Sequence, residues 1–427
     1  MKLILTVLAL LLPAFAADIG NQQIDSIYPD LEKLYVSLHQ HPELGFQENE
    51  TSVKLSEQLR LLGYEVTTGV GRTGVVAILR NGFGRTIMLR ADMDALPIEE
   101  KTGLPFASKV IVKSSAGQSV PVMHACGHDI HMTALMGTAR IMAQTKQQWH
   151  GTLMLVAQPA EEILGGAAAM LRDGLFTRFP KPEYAVAIHV EDSMPAGTVG
   201  FHSGPFRASS DAIDITVFGK GGHGAKPQET IDPVLIASKT VLGIHTIVSR
   251  EIDPQDAAVV TVGTIHGGTK RNIIPDEVKL ELTVRAYKPE VRKHLLSAIE
   301  RIAKGESIAG GSPRDPVIAV QESADPVVND PEITRRVSSN LRRALGDDVI
   351  EMSAQMTSED FSEYGKAGIR CLLLHVGAQD PKKFAPAEAT GTQLPSVHTS
   401  YFAPDREGTI KAAVRVETQA LLELFAN

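Results

Sequence analysis

The 427-residue sequence predicts an α/β protein: a doubly wound, mainly parallel sheet interrupted by an inserted ferredoxin-like (βαββαβ) domain. Three observations carry that reading. Apolar runs of strand length recur in the first half, the pattern of strands buried on both faces. Helical patterns separate several of them. From about Asp211 the rhythm changes to alternating strands and two long helices, and near residue 323 the first pattern returns.

The chain opens with MKLILTVLALLLPAFAAD. Lys2 supplies a short positive region, Leu3–Leu12 an apolar run too short to span a bilayer, and Ala14-Phe15-Ala16 a small-x-small cleavage site. Residues 1–16 therefore read as a signal peptide, and the mature protein is expected to be exported, periplasmic or secreted. TSVKLSEQLRLLGYEV then reads as a helix running into a strand. GVVAILR, RTIMLRAD, GTLMLVAQP and YAVAIHV read as parallel strands. DIHMTALMGTARIMAQ is a helix with Met132, Leu135, Met136 and Ala139 on one face, and GGAAAMLRDGLF is another.

In the second region DAIDITVFG is a strand, IDPVLIASKTVLGIHTIV a helix, and AAVVTVGTIHG and EVKLELTVRAY two strands joined by a turn. PEVRKHLLSAIERIAKG is the second helix and PVIAVQES the last strand. The α/β pattern resumes with the helix PEITRRVSSNLRRAL, the strand RCLLLHVG and a terminal helix through TIKAAVRVETQALLELF. The expected division is 17–208 with 323–427 as the catalytic, metal-binding domain and 209–322 as a lid and dimerisation domain.

Hydrophobic residues make up 43% and charged residues 22%, which excludes extensive disorder. The net charge is −8 with no basic run, so nucleic acid is not an expected partner. No later stretch is long and apolar enough to be a membrane span.

The chemistry-bearing residues collect at predicted strand ends, where ligands bind in open α/β sheets. Asp92 and Asp94 follow RTIMLRA, Glu161 and Glu162 follow GTLMLVAQPA, and His189 follows YAVAI. Cys126 and His128, in HACGHDIH, precede a helix. Sulfur, imidazole and carboxylate donors favour zinc or a similar first-row metal, and they are too many for one tetrahedral ion. They suit a two-metal site with an activated water. Adjacent glutamates on an extended backbone point apart, so one can bind metal while the other moves a proton. Cys126 could also pair with the one other cysteine, Cys371, or sit as a passive buried thiol.

The motifs RADMDALPIEE, HACGHDIHMTALMGTA, QPAEE with GGAAAML, AIHV, GKGGHGAKP, GGTKRNIIPDEV, TSEDF and VHTSYF occur in order over nearly the whole mature chain. In this the sequence resembles the amidohydrolase subgroup of the aminoacylase/carboxypeptidase metallopeptidase family, the indole-acetyl-amino-acid and hippurate hydrolases. The resemblance implies hydrolysis of the amide bond of N-acyl amino acids by two divalent ions per subunit, zinc first, with manganese, cobalt or nickel as alternatives. It implies that Cys126 bridges the ions and that His128, Glu162, His189 and His398 bind them. Glu161 is then the general base and acid. His223 reaches the active site of the other subunit of a homodimer and steadies the oxyanion. Asn272 holds substrate, and Arg285 is a weaker candidate for the substrate carboxylate.

Two departures stand out. Relatives in the broader family place a histidine where Asp92 stands, and His128 takes over as ligand. Ile130 replaces a common glycine. His124, His131, Asp94 and Asp129 are left between supporting and merely structural roles, and His39 and His41 are read as structural. An exported metallo-dipeptidase or carboxypeptidase is the alternative within this chemistry. GKGGHG also fits GxGxxG, which raises a nucleotide-binding module, but no acid ends the following strand.

Overall fold

The computed structural model describes residues 20–114 and 117–426, and the signal peptide expected at 1–16 lies outside them. Five neighbouring strands pair in parallel at the centre of a ten-stranded sheet: Gly151–Gln158, Thr86–Asp92, Tyr184–Pro195, Arg370–Gln379 and Val327–Asn329. Antiparallel strands flank these five, and the short parallel pair Val199–Phe201 and Val349–Glu351 branches from Arg370–Gln379. Glu65–Val70 and Gly74–Asn81 extend one side, and Gly204–Arg207 the other.

The run GVVAILR departs from the expected parallel pairing. Val75, Val76, Ala77, Ile78 and Leu79 are all buried, yet Gly74–Asn81 is antiparallel to both neighbours. The link Gly71-Arg72-Thr73 is too short for a crossover, so a hairpin is the only available connection. Two-sided burial reports layers on both faces, not strand direction.

Those layers make the sheet doubly wound. On one face Leu31, Leu55, Leu135, Val337 and Val414, each from a different helix, join the core with Leu89 and Leu155. On the other, Met170, Leu175 and Tyr364 pack against Met88 and Met154. The helix His128–Gln144 is not amphipathic in place. Thr133 and Thr138 are as buried as Met132 and Leu135, because neighbouring helices cover the face turned from the sheet. GGAAAMLRDGLF forms two short helices, Gly166–Arg172 and Leu175–Arg178, broken at Gly174, where φ is 88°.

The second sheet is four-stranded and antiparallel, ordered Ala258–His266, Glu277–Ala286, Ser209–Phe218, Val317–Ala324. That is the ferredoxin-like order, with helices Pro233–Glu251 and Pro289–Ala309 as the crossovers. Glu277–Ala286 buries alternate residues, and Leu280, Leu282 and Val284 meet Ile244 and Leu295 in a separate core. Its last strand continues past 322 because Ser323 and Ala324 still pair with Asp211 and Ser210. No helix among the described residues is long and apolar enough to cross a membrane.

Candidate metal centre and active site

Cys126 and His128 turn into one site because Gly127 between them takes a φ of 78°. A Cβ at Gly127 would also lie 2.6 Å from Val190 Cγ2, so the loop is pressed against the strand that carries His189. His398 has φ 61° and is fixed by its main-chain N–H, which donates to the carbonyl of Ala125 at 2.8 Å. Ala160, before the glutamate pair, has φ 49°. Left-handed backbone at non-glycine residues beside a cluster of polar side chains is the usual mark of a functional site.

These bends bring distant segments together. Cys126 Sγ lies 3.2 Å from His398 Nε2 and 3.5 Å from His189 Nε2. His398 Nε2 lies 3.4 Å from one oxygen of Glu162, and His128 Nε2 lies 3.8 Å from the other. Glu161 approaches His128 Nε2 at 3.9 Å. Cys126, His128 and His189 offer donor atoms within 4.8 Å of one another; so do Cys126, Glu162 and His398, and so do His128, Glu161 and Glu162. Both cysteines are free thiols. Cys371 sits in the central strand Arg370–Gln379 as a small apolar residue.

The electrostatics fit a cation. Burial pushes the Cys126 thiol well up, and Glu162 up to about 8. Burial, then the neighbouring Glu359 and Glu162, raise Glu161 well above the usual carboxylate range. Burial and the Arg207 charge hold His189 neutral. His128 Nε2 and Glu162 Oε1 are buried with no hydrogen-bond partner among the described residues. Donors of this kind are costly to bury alone and are satisfied by a metal ion. The residues present therefore fit a metal centre.

A supporting layer aims the donors. The carbonyl of Asp94 accepts from His128 Nδ1 at 2.7 Å, which leaves Nε2 for the site. The Asp94 carboxylate accepts the main-chain N–H groups of Glu161 and Glu162, each at 3.0 Å. Asp92 accepts from His131 Nδ1 at 2.6 Å, and His131 Nε2 accepts from Val190 N at 2.9 Å. Asp129 is not the cap of its helix, which begins at His128. It accepts from His39 Nδ1 at 2.7 Å.

Sequence reasoning missed a buried charge cluster behind Glu161. Arg90 donates to Asp92 at 2.7 Å, Glu359 at 2.8 Å, Gln158 at 2.9 Å and Asp360 at 3.1 Å. The signal was available. An arginine inside the apolar run RTIMLRA must find carboxylates, and SED in TSEDF could supply them.

Cys126, Glu161, Glu162, His189, His398 and Arg285 all line one cavity of about 510 Å³. Arg285 Nη1 also donates to the carbonyl of Met356 at 2.9 Å. His223 and Asn272 do not line it. Both are exposed on the second unit, in a small paired tip where His223 faces Ile273 and Gly224 N donates to the Asn272 carbonyl. The helix after GKGGHG starts only at Pro233, so the glycines have no helix N-terminus for a phosphate. A larger cavity, about 920 Å³, opens elsewhere between Leu296 and Cys371, and none of the candidate residues lines it.

A two-faced α/β sheet with a second ferredoxin-like unit and a sulfur–imidazole–carboxylate cluster at the strand ends defines a metallohydrolase. The chain belongs to peptidase family M20/M25/M40, whose profile matches residues 88–391. It is 40% identical to thermostable carboxypeptidase 1 of Saccharolobus solfataricus over 332 residues, 77% of this chain and 80% of that protein. It is 39% identical to the hippurate hydrolase of Campylobacter jejuni over 345 residues, 79% of this chain and 86% of that one. The crystal structure of the Bacillus subtilis YXEP protein, titled a dinuclear metal binding peptidase of family M20, superposes with a TM-score of 0.76. That match is at 29% identity and covers 94% of this chain and 99% of that one.

Proposed function

We propose that the protein hydrolyses the amide bond of N-acyl amino acids, releasing a carboxylic acid and a free amino acid. One observation carries the reading. Cys126, Glu161, Glu162, His189 and His398 line a single cavity, His128 Nε2 stands 3.9 and 3.8 Å from Glu161 and Glu162, and two buried donor atoms of the cluster are unpaired among the described residues. Cys126, His128, Glu162, His189 and His398 would hold a pair of divalent ions, with zinc the first candidate. When bound, the ions supply Lewis acidity to the amide carbonyl and acidify the attacking water.

The chain's own residues do the rest. Glu161, held by Asp94 through its main chain, takes a proton from the water and hands it to the leaving nitrogen. The amine then departs neutral. A raised affinity for protons, the consequence of burial and of Glu359, suits a group that must give the proton back. Arg285 contributes a cation to the cavity wall. Because His223 and Asn272 are exposed and do not line this cavity, the reading includes a homodimer in which His223 steadies the oxyanion of the partner subunit's substrate. Export follows from the signal peptide read at 1–16.

The similarity to a carboxypeptidase favours peptides as the alternative substrates. A screen of hippurate, N-acetyl and indole-acetyl amino acids and dipeptides, with elemental analysis of the purified protein, separates the two. The expected result is about two equivalents of divalent metal and preferred turnover of a simple acyl conjugate. Preferred turnover of dipeptides would replace the reading, and no turnover of either class by metal-loaded protein would end it.

A further inference from the structure

Arg207 ends the strand Gly204–Arg207, where the chain passes from the large sheet to the small one. It is 5% exposed and lines the same cavity as Cys126, Glu161 and His398. All its hydrogen-bond partners are neutral. Nη1 donates to Thr357 Oγ1, and Nη2 donates to His375 Nε2 at 3.0 Å. His375 must then carry its proton on Nδ1, which donates to Glu191 at 2.8 Å. Glu191 is thus one imidazole removed from the guanidinium. Arg207 Nε is buried with no partner, and no carboxylate among the described residues forms an ion pair with Arg207.

The contrast within the molecule is sharp. Arg90, fully buried, meets three carboxylates. Arg292 meets Asp211 and Asp325. A buried cation without a counter-ion is strongly destabilising. Such a group on the wall of a reaction cavity is satisfied by an anion that arrives with the substrate.

We propose that Arg207 is a specificity-determining residue whose guanidinium receives a carboxylate of the substrate inside the catalytic cavity. The inference rests on the hydrolase reading and narrows it. The substrate carries a free carboxylate close to the scissile amide, either on the leaving amino acid or on the acyl side. The Thr357 and His375 bonds hold the guanidinium in place at the cavity wall.

Two matched pairs of substrates distinguish the sources: hippurate against its α-carboxamide, and N-succinylglycinamide against N-butyrylglycinamide. The expected result is an anionic-over-neutral kcat/KM ratio, in one pair, that falls about 10- to 100-fold in Arg207→Gln, mainly through KM. Arg207→Lys should recover part of it. Gln is neutral but keeps a planar polar end, so the variant removes the charge without placing an apolar group in the wall. Equal losses for both members of each pair, or ratios unchanged from wild type, would overturn the proposal. If no N-acyl amino acid is turned over, the same pairs titrated calorimetrically into Glu161→Gln protein still read the carboxylate preference and its loss in Glu161→Gln/Arg207→Gln. No preference there would also overturn it.

Discussion

At the residue scale, Asp94 governs both glutamates of the pair. Its two carboxylate oxygens hold the two successive amides of Glu161 and Glu162, and its own carbonyl orients His128. Asp94→Ala leaves two buried N–H groups unpaired, each worth about 1–3 kcal/mol. We expect a lower melting temperature, weaker metal retention and at least a tenfold fall in kcat, checked by calorimetry, elemental analysis and steady-state kinetics. Glu161→Gln is the complementary case. It keeps the fold and the metal while kcat falls by about two to four orders of magnitude. Wild-type kcat in a metal-loaded Glu161→Gln protein would remove Glu161 from the mechanism. Glu161, Glu162 and Asp94 were all visible in the sequence as acids at a strand end. The geometry of Asp94 was not: its carboxylate accepts two main-chain amides as well as standing 3.4 Å from His128 Nδ1.

At the element scale, the helices His128–Gln144 and Arg406–Phe425 pack against each other with a carboxyl group between them. Glu417 is fully buried, accepts from Thr138 Oγ1 at 2.7 Å through one oxygen, and leaves the other unpaired. Burial pushes its pKa from 4.5 up to about 8. The unfolded chain therefore releases this proton at lower pH than the folded one. Stability from this group is full below about pH 4.5 and declines as pH rises toward 8, where the loss levels off. Glu417→Gln should remove that slope and stabilise the protein near pH 7 by up to ~3 kcal/mol. Denaturant melts of both proteins from pH 5 to 9 check it, and a variant less stable than wild type at pH 8 would contradict the assignment. Periodicity predicted both helices. It could not predict that His128–Gln144 is enclosed on every side, because that depends on the terminal helix folding back across the sheet.

At the scale of the whole molecule, the candidate metal ligands come from residues 126–128, 162, 189 and 398, so one bound ion pair would tie together most of the length of the chain. Metal that binds only the folded state adds about 4 kcal/mol at a concentration a thousandfold above its dissociation constant. Loading with zinc or manganese should raise the melting temperature by several degrees, and a chelator should reverse it, with Cys126→Ser showing a smaller shift. The exposed tip bearing His223 predicts a second behaviour. Verified mixed dimers of His223→Ala and Glu161→Gln should recover activity that neither parent shows, and no recovery would argue against sites shared between subunits.

The sequence by itself determined the two-unit α/β plan, the order of strands and helices, and the residue types able to bind metal. These are properties of local periodicity and of which side chains follow each apolar run. Tertiary structure decided the rest. It turned Gly74–Asn81 antiparallel, closed Arg90 among Glu359 and Asp360, and left Arg207 in the cavity wall with only neutral partners. Burial and charge pairing depend on contacts between segments hundreds of residues apart, and no local pattern encodes which segment will arrive.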